Sequence, residues 1–250
     1  MKSFIIRCLS ISTLLAFWEL TGQFFIDPFF LPPPSQIFDR LTYLSETGEL
    51  WVHINSSLKR IFFGFVLGSS AGIFFGCCIG GVPIVREFLE LPINFFRSIN
   101  PLALVPLIML WFGVEEISKI ILIYYLVTIV VLYNTANGVA NVSENLIRAA
   151  RCIGLKKAKL FFSIIIPAAA PDILNGLRLG LGFAILVVIG AEMVGASEGI
   201  GYFIILGRQY VAIDDIFVGL VILGLMGIFL NQIFLFILRN FLKRYVRTNY

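Results

Sequence analysis

The chain has 250 residues and a formal net charge of +4; 59% of its residues are hydrophobic and only 14% are charged. Charged residues make up about a quarter of an ordinary soluble domain. The composition therefore excludes a soluble globular protein and indicates an integral membrane protein. Nucleic-acid binding is not expected either, because the chain has no soluble basic module with interleaved aromatic residues.

The first predicted span runs from about Phe4 to Phe25. We interpret it as a retained transmembrane helix rather than a secretory signal, because no clear small-residue cleavage site precedes Asp27. Prolines in residues 31–35 predict a stiff turn, and residues 36–58 are polar enough for an outer-surface segment. The predicted organisation is a first helix (1–30), an outer segment (31–60) and a membrane core (61–250).

The second predicted span, about Ile61 to Val82, has glycine at every fourth position: Gly64, Gly68, Gly72, Gly76 and Gly80. Small residues in this register clear a groove along one helix face, which lets another transmembrane helix approach closely. The stripe predicts close packing on a neighbouring helix, either within the chain or across a dimer.

Arg86 and Arg97 bracket a predicted inner loop, which leads to a short third span, Ile99 to Phe112. Pro101 and Pro106 interrupt this span and free backbone carbonyls, which in a membrane must face protein or a water-filled path. Two interpretations stay open: a broken helix that lines the transport route, or a proline kink satisfied by its neighbours.

The last three predicted spans are residues 117–136, 174–194 and 216–238, and residues 196–215 form an outer segment. Glu192 lies near the outer end of the fifth span. A carboxylate at mid-bilayer would cost roughly 2.5–3.5 kcal/mol. Glu192 is therefore expected either near the interface or in a polar cavity.

Six spans place both termini on one side, and the distribution of lysine and arginine identifies that side as cytoplasmic. The cations on the cytoplasmic side are Lys2, Arg7, Arg86, Arg97, Arg148, Arg151, Lys156, Lys157, Lys159, Arg178, Arg239, Lys243, Arg244 and Arg247. The outer side has Arg40, Lys59, Arg60, Lys119 and Arg208.

The longest basic and amphipathic interruption of the apolar sequence is Asn145 to Asp172. A short helix on the membrane surface is expected there, and Gly154 permits a sharp turn because glycine enters positive φ without steric cost. Pro167 and Pro171 are expected to end any helix that enters from Leu160. The segment is either an ordinary positive loop or a docking element for a partner.

The spacing in this segment resembles the EAA loop in the membrane-spanning subunit of binding-protein-dependent ABC importers, at Ala149, Ala150, Gly154, Ile164 and Pro167. The family pattern is Glu-Ala-Ala, three residues, Gly, nine residues, then Ile-x-Leu-Pro. Arg148 stands in place of the family glutamate and Ile166 in place of its leucine. We therefore expect the groove of the partner ATPase to differ locally.

The resemblance extends from Leu31 onward, through segments such as LPPPSQI, RSINPLALVPLIMLWFG and GLRLGLGFAILVVIGAEMVG. These are similar to the nitrate, sulfonate, taurine and bicarbonate branch of importer permeases. The resemblance implies an all-α membrane protein of the bacterial inner membrane, with six transmembrane helices and the type I ABC importer permease fold. It also implies a cytoplasmic coupling helix, Leu146 to Leu160, within a coupling loop at residues 143–172.

The resemblance further implies that two ABC ATPase subunits, a second permease copy or sister permease, and an external solute-binding protein assemble with this chain. The ATPase-coupling residues it implies are Arg148, Ala149, Ala150, Gly154, Leu155, Ile164 and Pro167. The implied cargo is a small solute, for which anions fit this branch, although close relatives also carry neutral pyrimidines.

The chain has no Walker A loop, so ATP hydrolysis is assigned to a partner and this chain is not expected to be an enzyme. No cofactor or metal is predicted, because His53 is the single histidine and the four cysteines lack C-x-x-C spacing. Candidate residues of the translocation path are Asn100, Asn134, Arg178 and Glu192, which are polar groups in or beside spans. The alternative function is an ion-coupled carrier or channel without an ATPase, which would need several buried ionisable residues in the membrane.

Overall fold

The computed structural model describes residues 2–241, and the regular secondary structure of this part of the chain is helical. A 3-10 turn (Pro101–Leu104) and a π turn (Phe161–Ile165) separate some of the α-helices. In chain order the α-helices are α1 (Lys2–Phe24), α2 (Pro34–Glu46), α3 (Glu49–Gly81), α4 (Pro83–Ser98), α5 (Val105–Phe112), α6 (Glu116–Ala140), α7 (Glu144–Cys152), α8 (Lys157–Leu160), α9 (Ile166–Gly195), α10 (Ile200–Gln209) and α11 (Ile213–Phe241).

Within residues 2–241, four helical segments are long and apolar enough to cross a membrane: Glu49–Gly81, Glu116–Ala140, Ala158–Gly195 and Ile213–Arg239. The segments Pro83–Ser98 and Pro101–Phe112 meet at 82° and pass the same test together, which would make five. The expected first span corresponds to α1, and its place in the membrane stays a prediction. The structure thus shows four or five segments able to span a membrane, where the sequence predicted six.

Helix α6 lies at the centre of the core, between α3 and α9. Its side chains Ile123, Val127 and Val131 are completely buried, as are Ala184 and Val188 of α9. In a membrane this core gains little from the hydrophobic effect, because lipid tails are as apolar as the side chains, so close packing must hold it together.

The glycine stripe of α3 packs on α6 of the same chain. A β-carbon built at Gly64 would lie 2.6 Å from Cβ of Ile123, and one at Gly76 would lie 2.6 Å from Cβ of Thr135. Along the stripe, each successive glycine contacts the next residue in a row on one face of α6: Ile123, Val127, Val131, Thr135 and Val139. Of the two options left by the sequence, packing within the chain or across a dimer, the structure shows packing within the chain.

The same contacts show the relative directions of the three core helices. Gly64 meets Ile123 and Gly80 meets Val139, so α3 and α6 run parallel. Gly138 of α6 meets Asp172 of α9, whereas Val131 meets Gly180, so α9 runs antiparallel to α6. Because α3 and α6 are parallel, the bent pair α4–α5 must return the chain to the end of the core where α3 began.

The third predicted span, from Ile99 to Phe112, takes in only part of this bent pair. The region bracketed by Arg86 and Arg97 is not a loop but helix α4, which begins at Pro83. Proline is favoured in the first turn of a helix because its missing N–H has no intrahelical partner there. The interruption predicted at Pro101 is present as a 3-10 turn after Asn100, whose side chain accepts a hydrogen bond from Leu102 N.

Helix α3 begins at Glu49, twelve residues before the predicted start of its span. The polar residues that suggested an outer segment include His53, Ser57 and Arg60, which share one helix face and are all buried. Hydropathy treats such residues as exposed, but here their polar groups point into the protein. Residues 196–215, also predicted as an outer segment, contain helix α10.

The prediction that Pro167 and Pro171 end the helix entering from Leu160 is wrong. Helical structure continues from Ala158 to Gly195. In the π turn before Pro167, the N–H of Ile166 donates to the carbonyl of Phe161, five residues back rather than four. Such local adjustments accommodate proline in transmembrane helices by giving the freed backbone groups new partners.

We predict that Gly76→Ala lowers the melting temperature of the purified protein in detergent. The new methyl group would meet the Thr135 side chain and lie 2.8 Å from the backbone carbonyl of Leu132, and overpacking of this kind costs about 1–3 kcal/mol. The control is Gly182→Ala in α9, where a β-carbon meets nothing within 4 Å. Equal melting temperatures for the two variants would contradict the packing role of the stripe.

Candidate docking surface and pathway residues

Helix α7 is a short amphipathic helix at the end of the core where α3 and α6 finish. Ala150 is buried and anchors the helix, whereas Arg148 and Ala149 are exposed. Large apolar side chains are exposed beside them, with Leu146 at 43% and Ile153 at 78% of their full exposure. Leu146 lies within α7 and Ile153 is the C-cap residue at its end, so apolar side chains are exposed along the charged helix.

The end of α7 is fixed by a Schellman motif. The N–H of Gly154 donates to the carbonyl of Arg151 at 2.9 Å, and the N–H of Leu155 donates to the carbonyl of Ala150 at 3.2 Å. Gly154 has φ +82° with open space around it, so glycine is required there for backbone conformation and not for lack of room. The motif therefore explains the glycine at position 154, while Ala150 and Leu155 take part through their backbone atoms.

The segment after this motif joins α7 to the base of α9. Phe161 and Ile165 of the π turn pack on a cluster of buried residues formed by Val139, Ala169 and Ile173. Ile164 lies in the same π turn and Pro167 in the first turn of α9, both half-buried. The predicted coupling residues therefore lie on one continuous segment, although the helix itself is shorter than the predicted Leu146 to Leu160.

The substituted position Arg148 has a partner inside its own helix. Its Nη2 atom lies 2.6 Å from Oε2 of Glu144, one turn earlier, and both side chains are more than 70% exposed, at 72% and 78%. An exposed pair at this spacing contributes only about 0.3–0.5 kcal/mol. Most of the surface of both charged groups therefore stays open to a partner.

An ionic cluster lies at the opposite end of the core, in which Arg60, Lys119 and Glu192 are buried and Glu116 is exposed. Arg60 of α3 is 2% exposed, and its Nη1 atom lies 2.6 Å from Oε1 of Glu192 on α9. Its Nε and Nη2 atoms bind both carboxylate oxygens of Glu116 on α6, at 2.6 and 2.7 Å. Lys119, 3% exposed, adds a contact of 3.2 Å to Glu116. One guanidinium thus ties the three core helices together.

The same cluster caps the amino terminus of α10. The backbone N–H groups of Gly199, Ile200 and Gly201 donate to His53 Nδ1, Ser57 Oγ and Glu192 Oε2, at distances of 3.1, 2.9 and 2.9 Å. The first N–H groups of a helix have no intrahelical acceptor, and a carboxylate there is favoured by the helix dipole. Glu192 therefore acts as an internal anion between Arg60 and α10.

The four candidate path residues do not come together in the structure. Asn100 and Arg178 are exposed, while Asn134 is half-buried and donates to the carbonyl of Val130 at 2.8 Å. Glu192 lies in the ionic cluster with 1% exposure. Of the two environments expected for Glu192, the structure shows a polar interior site.

Sequence reasoning missed Arg60, Ser57 and Glu116, and it placed Arg60 among exposed outer cations. A signal was available, because His53, Ser57 and Arg60 recur at helical spacing. The partners of Arg60 are 56 and 132 residues away along the chain, so no local pattern links them.

Residues 64–247 match the model of the family described as "Binding-protein-dependent transport system inner membrane component". The chain belongs to this family. It is therefore a membrane permease of the ABC importer class, and the match favours the importer hypothesis over an ion-coupled carrier.

Two relatives support this assignment of the permease. It is 34% identical over 232 residues to the taurine transport system permease protein of Escherichia coli, covering 89% of this chain and 84% of the relative. It is 30% identical over 216 residues to the nitrate import permease protein of a Synechocystis species, covering 83% and 78%.

The fold of the permease is similar to that of a chain in inward-facing structures of the MetNI methionine ABC transporter. The TM-score is 0.62 at 21% identity, and the match covers 81% of this chain and 98% of the other. At this identity the likeness shows the fold alone.

We predict that Glu192→Gln strongly destabilises the permease. Arg60 would keep Glu116 as a partner but would lose its buried one, and Ser57 and the N–H of Gly201 would lose a charged acceptor. Breaking a buried ion pair costs about 3–5 kcal/mol. The measurement is the melting temperature in detergent, with Glu115→Gln as a control at an exposed carboxylate near the same end.

The double variant Arg60→Met/Glu192→Met separates pairing from packing. Because it removes both charges, it is expected to be less destabilised than the sum of its two single variants. Strict additivity would show that the pair does not stabilise the permease through charge.

Proposed function

We propose that α7 is the coupling helix of this permease and binds a separate ATPase subunit on the cytoplasmic side. The observation that carries the proposal is the pair of exposed apolar residues, Leu146 within α7 and Ile153 at its C-cap, on a helix whose end is fixed by a Schellman motif. The surrounding cations Arg151, Lys156 and Lys159 are exposed. This charge distribution supports a cytoplasmic position for the α7 end, since lysine and arginine are enriched in cytoplasmic loops.

With the α7 end in the cytoplasm, the Arg60 cluster faces the outside, where a solute-binding protein would deliver the cargo. Helix α9 has 30 residues and would span roughly 45 Å at 1.5 Å per residue. A displacement of α7 would be transmitted along α9 to Glu192, which lies near the far end of α9. ATP can drive this motion only if the ATPase binds the two permease conformations with different affinity.

We further propose that the permease works as a dimer, with a second copy or a sister permease, two ATPase subunits and an external binding protein. The described helices expose many large apolar side chains, among them Phe62, Phe74, Leu186 and Phe229. Lipid and a second permease would share this surface. Both termini would lie in the cytoplasm; Lys243, Arg244 and Arg247, which contribute to that prediction, lie outside the described residues.

The proposed cargo is a small solute that carries an oxyanion group. This rests on the relatives whose names specify taurine and nitrate. Asn100, Asn134 and Arg178 stay as proposed path residues, since each is accessible or half-buried. For Glu192 we propose a different role, because its carboxylate is already bound by Arg60, Ser57 and Gly201: it holds the outer ends of the helices together.

We predict that Gly154→Val uncouples ATP hydrolysis from transport. A β-branched residue at φ +82° costs at least about 1–2 kcal/mol and disrupts the end of α7. Uptake by the reconstituted importer should fall by about tenfold, which corresponds to 1.4 kcal/mol. Gly154→Asn is the matched control, because asparagine enters this conformation more readily. Unchanged uptake in the valine variant would argue against the coupling role.

We predict that Arg148→Glu reduces the amount of ATPase subunit that co-purifies with the permease in mild detergent. The double exchange Glu144→Arg/Arg148→Glu keeps a pair within α7 while it reverses the charges presented to the partner. Because the pair itself is weak, the double variant should stay defective. Full recovery of ATPase binding by the double exchange would show that Arg148 acts only within its own helix.

A further inference from the structure

Helix α4 has its polar and apolar faces reversed relative to a soluble helix. The apolar stripe of α4, formed by Ile84, Phe88, Leu91 and Phe95, is 61–80% exposed. The polar residues Arg86, Glu90, Asn94 and Arg97 recur at helical spacing on the other side. Arg86 and Asn94 are half-buried, whereas Glu90 and Arg97 are exposed, so the protein encloses this polar side only in part. Ionisable residues in membrane-spanning segments mark solute and ion pathways.

The polar side of α4 faces α6 across a cavity of about 140 Å³. The cavity lies near the α7 end of the core, and its polar lining consists of Arg86, Glu90, Asn94, Tyr133 and Asn137. The charged residues that line a second cavity of about 310 Å³ are Arg86, Glu87 and Glu90. Arg86 and Glu90 therefore lie between two spaces that are each large enough for a small solute.

The charged groups of Arg86 and Glu90 can still bind a ligand. The one side-chain hydrogen bond found for Arg86 in residues 2–241 goes to Asn137 Oδ1 and is long, at 3.5 Å. Arg86 and Glu90 are one turn apart, yet no ion pair within 4 Å joins them in the described part of the chain. A guanidinium has five donors and suits an oxyanion, while a carboxylate suits an ammonium group.

The neighbouring residues make the site more suitable for an oxyanion. Arg97 stacks over the ring of Tyr133, with its guanidinium carbon 4.2 Å from the ring centroid. This adds a second cation beside the cavity. The amide of Asn137 and the hydroxyl of Tyr133 can donate or accept hydrogen bonds.

We propose that this cavity is a solute subsite at the inner end of the path, selective for a small zwitterion over a simple anion. Arg86 binds the oxyanion and Glu90 binds the ammonium group of the same molecule. The inference rests on the proposed function and adds to it both a location and a substrate class. Taurine, which is named for one relative, is an amino sulfonate of this class. A phosphatidylethanolamine headgroup has the same pair of charges, and the test separates the two sources.

The experiment uses the full chain with its ATPase subunits in phosphatidylcholine nanodiscs, without binding protein, and measures equilibrium binding of radiolabelled taurine. Taurine should bind saturably to the wild type, while Arg86→Gln and Glu90→Gln should each weaken binding by about tenfold or more. Lys59→Gln and Glu115→Gln remove the same charges at exposed positions elsewhere and should bind taurine like the wild type. Ethanesulfonate and nitrate, which lack the ammonium group, should compete weakly against the wild type.

Three results would overturn the proposal: no saturable binding by the wild type, wild-type affinity in both cavity variants, or ethanesulfonate competing as well as taurine. Co-purification of phosphatidylethanolamine with the wild type but not with Arg86→Gln, together with loss of taurine binding in nanodiscs that contain this lipid, would assign the cavity to lipid. ATP hydrolysis stimulated by the binding protein is measured on the same preparation. Stimulated hydrolysis without taurine binding rejects the subsite alone, whereas absent stimulation rejects the proposed function.

Discussion

The close parallel packing of α3 on α6 is the contact on which the rest of the structure depends. Five glycines of α3 each receive one side chain of α6, from Ile123 to Val139, with no room for a β-carbon. In lipid, helices associate through such close packing because burial of apolar surface gains little. The register of this contact brings Arg60 beside Glu116 at one end and, together with α9, forms the base on which Phe161 and Ile165 pack at the other.

Helix α9 connects those two ends within a single helix. From Ala158 the chain leads into α9 without a break, because the π turn before Pro167 changes the hydrogen-bond pattern locally instead of ending the helix. At the far end, Glu192 is bound by Arg60, by Ser57 and by the backbone of α10. In the proposed coupling motion, a displacement of α7 would act on this ionic cluster, whose charges would have to keep their partners because an unpaired charge there is costly.

Several features follow from local sequence patterns. Glycine at every fourth position predicted a packed helix face. Gly154 predicted a turn, which the structure shows as a Schellman motif. Helix boundaries were less predictable where hydropathy was the guide. The first turns of α3 were taken for an outer segment because their polar residues were assumed to face water. Helix α4 was taken for a loop because Arg86 and Arg97 bracket it.

The sequence by itself determined the membrane class, the family resemblance and the position of the glycine turn after α7, because each depends on composition or on residues a few positions apart. The tertiary structure decided that the glycine stripe packs within the chain, that Arg60 binds Glu116 and Glu192, and that Arg86 and Glu90 line a cavity with Asn137. These contacts join residues up to 132 positions apart. A charged residue in an apolar sequence must be solvated or paired. Only the packing of the helices determines which residue is its partner.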